Sequence, residues 1–318
     1  MKKIIATVGP SLLHTVSITE VHNNKLIYRI NGAHGSINDI EKYILKIRNQ
    51  VNNADILLDL PGNKVRTANL PNGFIEIEKN KEFSLLFTQM NYINFFKHLK
   101  NGDTVWANDS IFKFTVSKIT EKEIFFMSHS TGILKDNKGM HVRGIHKNIP
   151  FLFSKDKKLI ELANKYNIEY VGLSFVRTAS DILIAKKLLQ ANINIISKVE
   201  TLSAVQHLDD ILKIVKYILI DRGDLSTEIG LNKVAKYQQF IIDKALFYGK
   251  NIFLATQFLK SMEMNPIPTI PEVIDMYNTL KSGIYGIQMS EETAIGKYPV
   301  ECLNVIQSLV DEIQSELI

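Results

Sequence analysis

Eight short apolar runs recur along the chain, and they constrain its fold more than any other feature of the sequence. Each run ends in a polar or glycine-containing stretch, and segments with helical periodicity lie between them. The runs are Ile4–Val8, Leu26–Ile30, Ile56–Leu58, Tyr170–Phe175, Ile193–Ile196, Tyr217–Ile220, Ile252–Ala255 and Ile284–Met289. Near-continuous apolar runs are typical of parallel strands that are buried on both faces. Eight such strands alternating with helices predict an α/β fold, a closed (β/α)8 TIM barrel.

The stretch between the third and fourth runs departs from this rhythm. It carries short β-rich pieces separated by turn signals such as Asn101–Gly102–Asp103, and no long helical pattern. The predicted strands are Phe74–Ile77, Phe83–Phe87, Thr104–Trp106, Phe112–Val116 and Ile124–Met127. We therefore predict that residues 1–66 and 149–318 form the barrel. Residues 67–148 would form a small β-rich lid domain inserted after barrel strand three.

Two helix starts carry the signature of a capping box, in which a hydroxyl residue is followed three positions later by an acid. Ser36 precedes Asp39, and Thr178 precedes Asp181 ahead of the apolar run Ile182–Leu189. In such a box the two side chains satisfy backbone N–H groups of the first helical turn. The pattern predicts that one helix begins after Ser36 and another after Thr178.

Composition excludes several classes of protein. No apolar run has the length of a membrane span, and the first residues do not resemble a signal peptide. The net charge is +5, but no Lys/Arg block with interleaved aromatic residues indicates nucleic acid as a partner. Cys302 is the only cysteine, which excludes an intrachain disulfide and favours a cytoplasmic location. It falls in a predicted terminal helix, so we do not expect it to act as a nucleophile.

Charged and polar side chains gather where the predicted barrel strands end. The carboxyl ends of the strands in a (β/α)8 barrel meet at one face, and that face carries the catalytic groups. The residues at these ends are Arg29, Asn31, Asp59, Lys198, Glu200, Asp224, Thr256 and Ser290. This convergence of basic, acidic and hydroxyl groups predicts an active site.

Glu200 and Asp224 are the candidate metal ligands at this face. Two carboxylate oxygens, completed by substrate oxygens and water, suit Mg²⁺. Lys198 points to the same side of its strand as Glu200, and an ammonium beside a metal suits phosphoryl transfer. Each acid alone could instead cap a helix or pair with an arginine, and the residues themselves leave this alternative open.

Other residues near the strand ends are suited to bind anions. Arg29 could bind a phosphate through its forked guanidinium or form a salt bridge under the barrel rim. Gly223 allows backbone N–H groups to approach an anion at the start of a helix. Lys64 and Arg66 closely follow the third run, and Arg66 suits a phosphate.

The eight histidines show no spacing typical of a zinc site. His34 is interpreted as a structural residue in the turn before a helix. Four others lie in the inserted segment and are interpreted as surface residues: His98, His129, His141 and His146.

Several stretches resemble, in order, the motifs of the pyruvate kinase family. In the barrel they are KIIATVGPS, YRINGAHG, LDLPGNKVRT, IISKVE, DRGDLSTEIG, LATQFLKSM, NPIPTIPEV and MSEETAIGKYP. LKNGDTVWANDS and GILKDNKGMHV resemble parts of the family's mobile lid domain more weakly. The resemblance runs from Lys3 to about Ile313 and includes no counterpart of the family's C-terminal regulatory domain. We therefore expect a short, divergent form.

The resemblance implies a glycolytic kinase that transfers the phosphoryl group of phosphoenolpyruvate to ADP, giving pyruvate and ATP. It assigns Lys198 to the transferring group, and it assigns Glu200 and Asp224 to Mg²⁺ or Mn²⁺. Arg29 would bind the phosphate of phosphoenolpyruvate, and the backbone at Gly223 and Asp224 its carboxylate. Arg66 and Asn31 would bind the nucleotide. Thr256, with Ser290 acting through water, would lie near the enolate carbon.

The chain departs from the family's motifs around the expected monovalent-cation site. Asn31 and Asp59 match ligands of this ion, but Ala33 replaces a serine ligand. Lys64 replaces the glutamate that accompanies the ion in potassium-dependent members, and lysine at this position is associated with potassium independence. We therefore expect Lys64 to occupy the region of the ion, so that K⁺ is not required. The alternative is a surface lysine on a turn.

Other departures also surround the expected site and bear on function. Asp221 replaces an alanine, Glu291 replaces a glycine, and Ile270 replaces an arginine near a subunit contact. Besides the kinase, two other functions stay open: a specialised paralogue acting on another enol or keto acid, and a catalytically silent ligand-binding barrel with a regulatory role. The substitution at Ile270 favours a monomer or homodimer over a tetramer.

Overall fold

Fifteen strands form within the residues that the computed structural model describes, which are 2–15, 17–108, 110–144 and 149–315. In chain order they are β1 (Lys3–Thr7), β2 (Leu26–Asn31), β3 (Asp55–Leu60), β4 (Phe74–Ile77), β5 (Glu82–Leu86), β6 (Thr104–Ala107), β7 (Phe112–Ile119), β8 (Glu123–Ser128), β9 (Gly132–Lys135), β10 (Met140–His141), β11 (Tyr170–Leu173), β12 (Asn194–Val199), β13 (Tyr217–Asp221), β14 (Asn251–Ala255) and β15 (Gly286–Met289).

Eleven α-helices lie in the same described residues. They are α1 (Ile18–Val21), α2 (Ile37–Gln50), α3 (Ser154–Lys165), α4 (Ala179–Lys186), α5 (Leu202–Gln206), α6 (Leu208–Ile214), α7 (Arg222–Ile229), α8 (Val234–Phe247), α9 (Ile270–Lys281), α10 (Glu291–Ala294) and α11 (Pro299–Ser315). None of these helices combines the length and the apolar character that a membrane span requires.

Eight parallel strands close into the predicted barrel, in the order β1-β15-β14-β13-β12-β11-β3-β2. Each predicted apolar run overlaps one of these strands. Side chains on the outer face pack under the helices, whereas an inner cluster that includes Ile5, Leu57 and Phe253 fills the barrel interior. Because the strands are buried on both faces, their sequences are apolar almost throughout.

The pieces predicted between the third and fourth barrel strands form two separate sheets. One sheet has the order β10-β6-β7-β8-β5 and is antiparallel, and β4 pairs with β9 in the other. This region, which we call the lid, has its own apolar cluster around Phe95, Phe114 and Phe126. The predicted lid boundary at residue 148 and His146 both lie outside the described residues, so the division at 67–148 stays a prediction.

One predicted capping box is confirmed and the other is wrong. Ser36 accepts the N–H of Asp39, whose carboxylate accepts the N–H of Ser36. At the start of α4, Thr178 does occupy the N-cap position, but its side chain makes no capping hydrogen bond. The carboxylate of Asp181 instead accepts the N–H and the guanidinium of Arg177, at 2.6–2.9 Å. Asp181 is therefore bound by Arg177 and does not form a capping box with Thr178.

Asp156 joins the two points at which the chain leaves and re-enters the barrel. Its fully buried carboxylate accepts the N–H of Gly62, which follows β3, at 2.9 Å. It also accepts the N–H of Phe153, which precedes α3, at 2.7 Å. Burial raises the pKa of Asp156 to about 6, although these two N–H groups and Lys155 oppose the rise. The ionised carboxylate is therefore disfavoured in the folded protein.

We predict a pH-dependent stability difference between the wild type and Asp156→Asn. Between about pH 4 and pH 6 the native state keeps a proton on Asp156 that the unfolded chain has lost, so this contribution to the free energy of unfolding falls as pH rises. The advantage of the wild type over Asp156→Asn should shrink by roughly 2–3 kcal/mol from pH 4 to pH 7. Urea unfolding across this range measures it, with the exposed Asp210→Asn as control. An advantage that stays constant with pH would contradict the prediction.

Candidate active site

A cavity of about 360 Å³ opens at the carboxyl ends of the barrel strands, beneath the lid. It brings together nearly all of the residues predicted from the sequence. Those that line it are Arg29, Asn31, Asp59, Lys64, Arg66, Lys198, Gly223, Asp224, Thr256 and Ser290. Lid residues Asn108 and Asn137–Gly139 also contribute to its wall. Glu200 does not line the cavity, but it lies buried directly beside Lys198.

Lys198 lies at the centre of a ring of carboxylates. Its ammonium nitrogen is 3.3 Å from Glu200, 3.5 Å from Asp221 and 3.6 Å from Asp59, and it donates a hydrogen bond to the Ser174 hydroxyl at 3.1 Å. Burial on its own would lower the pKa of Lys198, but the three carboxylates outweigh burial and raise this pKa above its usual range. The side chain is therefore a permanent cation within the site.

Arg29 forms the salt bridge that the sequence left as one of its two interpretations. Its Nε and Nη2 donate to one oxygen of Asp59 at 2.8 and 2.6 Å, and Nη1 donates to the Thr7 hydroxyl at 2.9 Å. Burial tends to raise the pKa of Asp59, but Lys198 and Arg29 hold it below its usual value. Arg29 still lines the cavity, so its guanidinium is held rigidly at the wall.

Three acids converge close to Lys198: Glu200, Asp221 and Asp224. One carboxylate oxygen from each lies within 4.8 Å of the other two. Burial raises the pKa of Glu200 to about 8, against the opposing charge of Lys198, and the neighbouring acids add to the rise. Asp221 is not among the predicted strand-end residues, because the strand was predicted to end at Ile220, one residue before it.

The three acids fit a hard divalent cation. Glu200 Oε1 accepts the N–H of Phe175 at 2.7 Å, which fixes the carboxylate. Among the described residues no well-oriented hydrogen bond reaches its buried Oε2, although Lys198 Nζ lies 3.3 Å away. A buried carboxylate oxygen of this kind requires a partner, and oxygen ligands with several negative charges are those that Mg²⁺ prefers.

Lys64 contacts one of the candidate metal ligands. Its ammonium lies 2.6 Å from Asp224 Oδ1 and 5.9 Å from the ring centre of Phe175, and its side chain is 13% exposed. Burial would raise the pKa of Asp224, but Lys64 and then Lys198 hold it well below its usual range. The alternative of a solvated surface lysine is therefore wrong, because this ammonium lies inside the site and neutralises an acid.

The turn between β13 and α7 orients Thr256 and the backbone at Gly223. Asp221 Oδ1 accepts the Thr256 hydroxyl at 2.7 Å and the N–H of Gly223 at 3.2 Å. A Cβ on Gly223 would lie 3.1 Å from Thr256 Cγ2, so glycine permits this close approach. Thr256 has φ +86°, a left-handed conformation that is unfavourable for a β-branched residue. Such backbone strain is common at functional sites.

Basic residues crowd the rim of the cavity near β2. Arg66 Nη1 donates to the carbonyl of Asn137 in the lid at 3.1 Å, and Lys155 donates to the carbonyl of Gly35 at 2.9 Å. Partial burial lowers the pKa of His34, and the positive charges of Arg66, Arg29 and Lys155 lower it further. His34 also lines the cavity, so it is more than a turn residue. Its position directly after the β2 strand end was the available signal.

Three further residues were interpreted from the sequence, and the structure agrees with two of these interpretations. Cys302 is buried in α11, the terminal helix that was predicted, and burial raises the pKa of its thiol to about 12. His129 is exposed in the lid, as predicted. His141 was interpreted as a surface residue, but it is buried and lies 2.9 Å from Glu228 of α7. The docking of the lid on the barrel buries it.

We predict that a bound polyphosphate raises the pKa of His34. Negative charge beside the imidazole stabilises its protonated form and offsets the repulsion by the neighbouring cations. NMR titration of the histidine ring signals, with and without tripolyphosphate or ADP, measures the change. The signals of His129, which is exposed in the lid, serve as the control and should not respond. Saturation of the protein by either ligand with no change at His34 would contradict the prediction.

Comparison with known proteins agrees with this arrangement. Residues 1–303 match the family model described as "Pyruvate kinase, barrel domain". The chain is 32% identical to pyruvate kinase of Thermotoga maritima over 332 aligned residues, which cover 99% of this chain and 71% of the relative. It is 31% identical to the pyruvate kinases of Geobacillus stearothermophilus and Borreliella burgdorferi, with 96% and 99% of this chain covered.

The chain belongs to the pyruvate kinase family of phosphotransferases. It spans 71%, 56% and 68% of the lengths of these three relatives. The match includes every barrel strand and both lid sheets, so it covers the whole cavity and its wall.

Proposed function

We propose that this chain transfers the phosphoryl group of phosphoenolpyruvate to ADP, and that it works in glycolysis in the cytoplasm. The observation that carries the proposal is the position of Lys198. Its ammonium lies 3.3–3.6 Å from three carboxylates, beside a cavity whose opposite rim is basic. Phosphoryl transfer requires a fixed cation between carboxylates that can bind a metal ion and basic residues that can bind phosphate.

Glu200 and Asp224, together with Asp221, would hold a divalent cation, Mg²⁺ or Mn²⁺. Such an ion neutralises phosphate oxygens and stabilises an enolate through its positive charge. The contacts of Asp224 with Lys64 and of Glu200 with Phe175 hold both carboxylates in fixed orientations. Fixed orientation favours electrostatic stabilisation because little reorganisation is then needed during the reaction.

The chain's own residues divide the substrates between two sides of the cavity. Arg29 and Lys198 would bind the phosphoryl group. The backbone at Gly223 and Asp224 would bind the carboxylate of phosphoenolpyruvate, for which the N–H of Gly223 would exchange its 3.2 Å contact with Asp221. Arg66 and Asn31, with His34 nearby, would bind the nucleotide phosphates on the basic rim. Thr256, hydrogen-bonded to Asp221, would lie near the carbon that takes up a proton, and Ser290 would support it through water.

Replacement of Lys198 by methionine tests this assignment. We expect kcat to fall by on the order of 10³-fold or more, because the variant loses a fixed positive charge at the transferring group. Binding of phosphoenolpyruvate should weaken much less. A coupled assay for pyruvate formation and a direct binding titration measure the two effects.

The control variant is Lys165→Met, which removes an exposed lysine that pairs with Glu41 on the outside of the barrel. It should keep wild-type turnover. Circular dichroism establishes that Lys198→Met is folded, since the substitution leaves three carboxylates without their shared cation. Near-normal kcat in folded Lys198→Met would end the phosphoryl-transfer assignment.

We also propose that the enzyme does not require K⁺, and a charge comparison supports this. In potassium-dependent members a glutamate, an alanine and K⁺ occupy the region, with a summed charge of zero. Here Lys64 and Asp221 replace the glutamate and the alanine, and their summed charge is zero without any ion. Lys64 lies 2.6 Å from Asp224, while Arg29 and Lys198 neutralise Asp59. Side chains thus provide, beside the substrates, the positive charge that K⁺ provides in potassium-dependent members.

Activity in a buffer of tetramethylammonium salt should equal activity with added K⁺. Lys64→Glu should lose most activity because it places a fourth acid beside Glu200, Asp221 and Asp224. K⁺ should restore it poorly because Ala33 provides no hydroxyl ligand. Lys64→Arg, which keeps the positive charge, is the matched control and should remain potassium-independent. Strong activation of the wild type by K⁺ in the coupled assay would contradict this proposal.

A second candidate substrate class is favoured by a neighbouring cleft. A space of about 640 Å³ between the lid and the barrel shares Gly223 and Thr256 with the active-site cavity, and Trp106, Arg143 and Leu231 line it further out. This cleft could receive a substituent that phosphoenolpyruvate lacks, so the enzyme would act on a larger enol or keto acid. Comparison of kcat/KM for phosphoenolpyruvate and its 3-substituted analogues separates the two functions.

We propose a homodimer that buries the apolar start of α9. Ile267, Ile270 and Ile274 are 72%, 76% and 53% exposed, and Met264 extends the same surface at 61%. A second copy of this chain would remove these side chains from water, which is favourable in proportion to the apolar area buried. Light scattering should give twice the monomer mass, and Ile270→Glu should give a folded monomer. A wild-type monomer at micromolar concentration would contradict the proposal.

A further inference from the structure

Near the end of the described part of the lid, a short polar contact with the barrel joins two buried ionisable side chains. His141 Nε2, on β10 of the lid, lies 2.9 Å from Glu228 Oε2, on α7 of the barrel. Their side chains are only 9% and 5% exposed. The partners lie 87 positions apart in the chain, so only docking of the lid brings them together.

A second contact from the same lid segment reinforces the first. Arg143 Nε donates to the carbonyl of Thr227, the residue before Glu228, at 3.2 Å. The guanidinium carbon of Arg143 also lies 5.8 Å from the ring centre of Trp106 on β6. β10 pairs with β6, with His141 opposite Trp106, so this corner of the lid approaches α7 as one unit.

The helix that receives the lid is the one that carries part of the active site. The first turn of α7 contains Gly223 and Asp224, and Glu228 lies one turn further along. Lid residues Asn108 and Gly139 form part of the cavity wall on the same side. Contact between His141 and Glu228 therefore links the lid that supplies these wall residues to the helix that carries Asp224.

Burial makes the contact selective. A buried carboxylate is costly unless it is paired. Glu228 Oε1 accepts a long hydrogen bond from the N–H of Leu202 at 3.4 Å, and Oε2 lies 2.9 Å from His141 Nε2. The imidazole lies beside the carboxylate only when the lid is docked, whereas water can reach both groups when the lid lifts. Buried pairs of this kind contribute geometric specificity more than net stability.

We propose that His141 and Glu228 form a lid-to-barrel lock that positions the lid over the strand-end cavity. They are positioning residues, because they act through the cavity wall and not on the substrate. The proposal deepens the proposed function, since the docked lid would complete the binding site for phosphoenolpyruvate. Its structural part, docking of the lid by this pair, is independent of the reaction.

The first measurement reports docking without any turnover. Trp106 is the only tryptophan in the chain and lies in the docked corner of the lid, so quenching of its fluorescence by acrylamide reports whether that corner is closed. Glu228→Leu changes only the barrel side, and we expect it to raise the quenching constant by about twofold or more. Glu228→Gln, which keeps the shape and one acceptor oxygen but removes the negative charge, should raise it less. His129→Leu, an exposed lid histidine, is the matched control.

The second measurement uses a double-mutant cycle on binding. His141→Leu and Glu228→Leu should each raise the KM for phosphoenolpyruvate, with kcat changed much less, and the two effects should be non-additive by about fivefold or more. His141→Gln should recover part of the loss because its amide can still donate to Glu228. If His141→Leu does not fold, the cycle of His141→Gln with Glu228→Gln replaces it.

The outcomes separate this proposal from the proposed function. Unchanged quenching in folded Glu228→Leu, or additive effects in the cycle, would overturn the lock. If the wild type does not turn over phosphoenolpyruvate, the proposed function is overturned. The quenching comparison would still decide whether the lock exists. Increased quenching in both the Glu228→Leu and the His141→Leu proteins, with the control unchanged, supports it.

Discussion

The burial of one ammonium among carboxylates at the end of the barrel is the constraint on which the rest of the site depends. Three cations and four acids are packed there: Arg29, Lys64 and Lys198 against Asp59, Glu200, Asp221 and Asp224. Buried charges are tolerated only when each has a partner, so every one of these side chains holds its neighbours in place. Burial disfavours the ionised form of Glu200, and a divalent cation bound at the acids would favour it.

The lid depends on the barrel at two distant points. At its base, Asp156 accepts N–H groups from both connecting segments, so the exit and the return of the chain are held at a fixed separation. At its far corner, His141 and Arg143 lie against α7. A domain attached by two short connections can still pivot, and we propose that the second set of contacts positions it over the cavity.

Substitutions relative to the family motifs are coupled through charge. Asp221 adds an acid beside Lys198 and also accepts the Thr256 hydroxyl, while Lys64 adds a cation at Asp224. Either change alone would alter the charge of a poorly hydrated site, where electrostatic interactions are strong. Relative to the family's glutamate and alanine, the two side chains together add one positive charge, which equals the charge of the K⁺ that we propose the enzyme does not require.

The sequence by itself determined the barrel, its strand-end residues and the first capping box, because these follow from local patterns. Parallel strands buried on both faces require apolar runs, and polar residues at their ends must meet at one face. Tertiary structure alone decided the ion pairs of Lys64 with Asp224 and of His141 with Glu228, which join positions 160 and 87 residues apart. The first pair depends on how the barrel strands bring their ends together and the second on how the lid docks, and no periodicity in the chain encodes either.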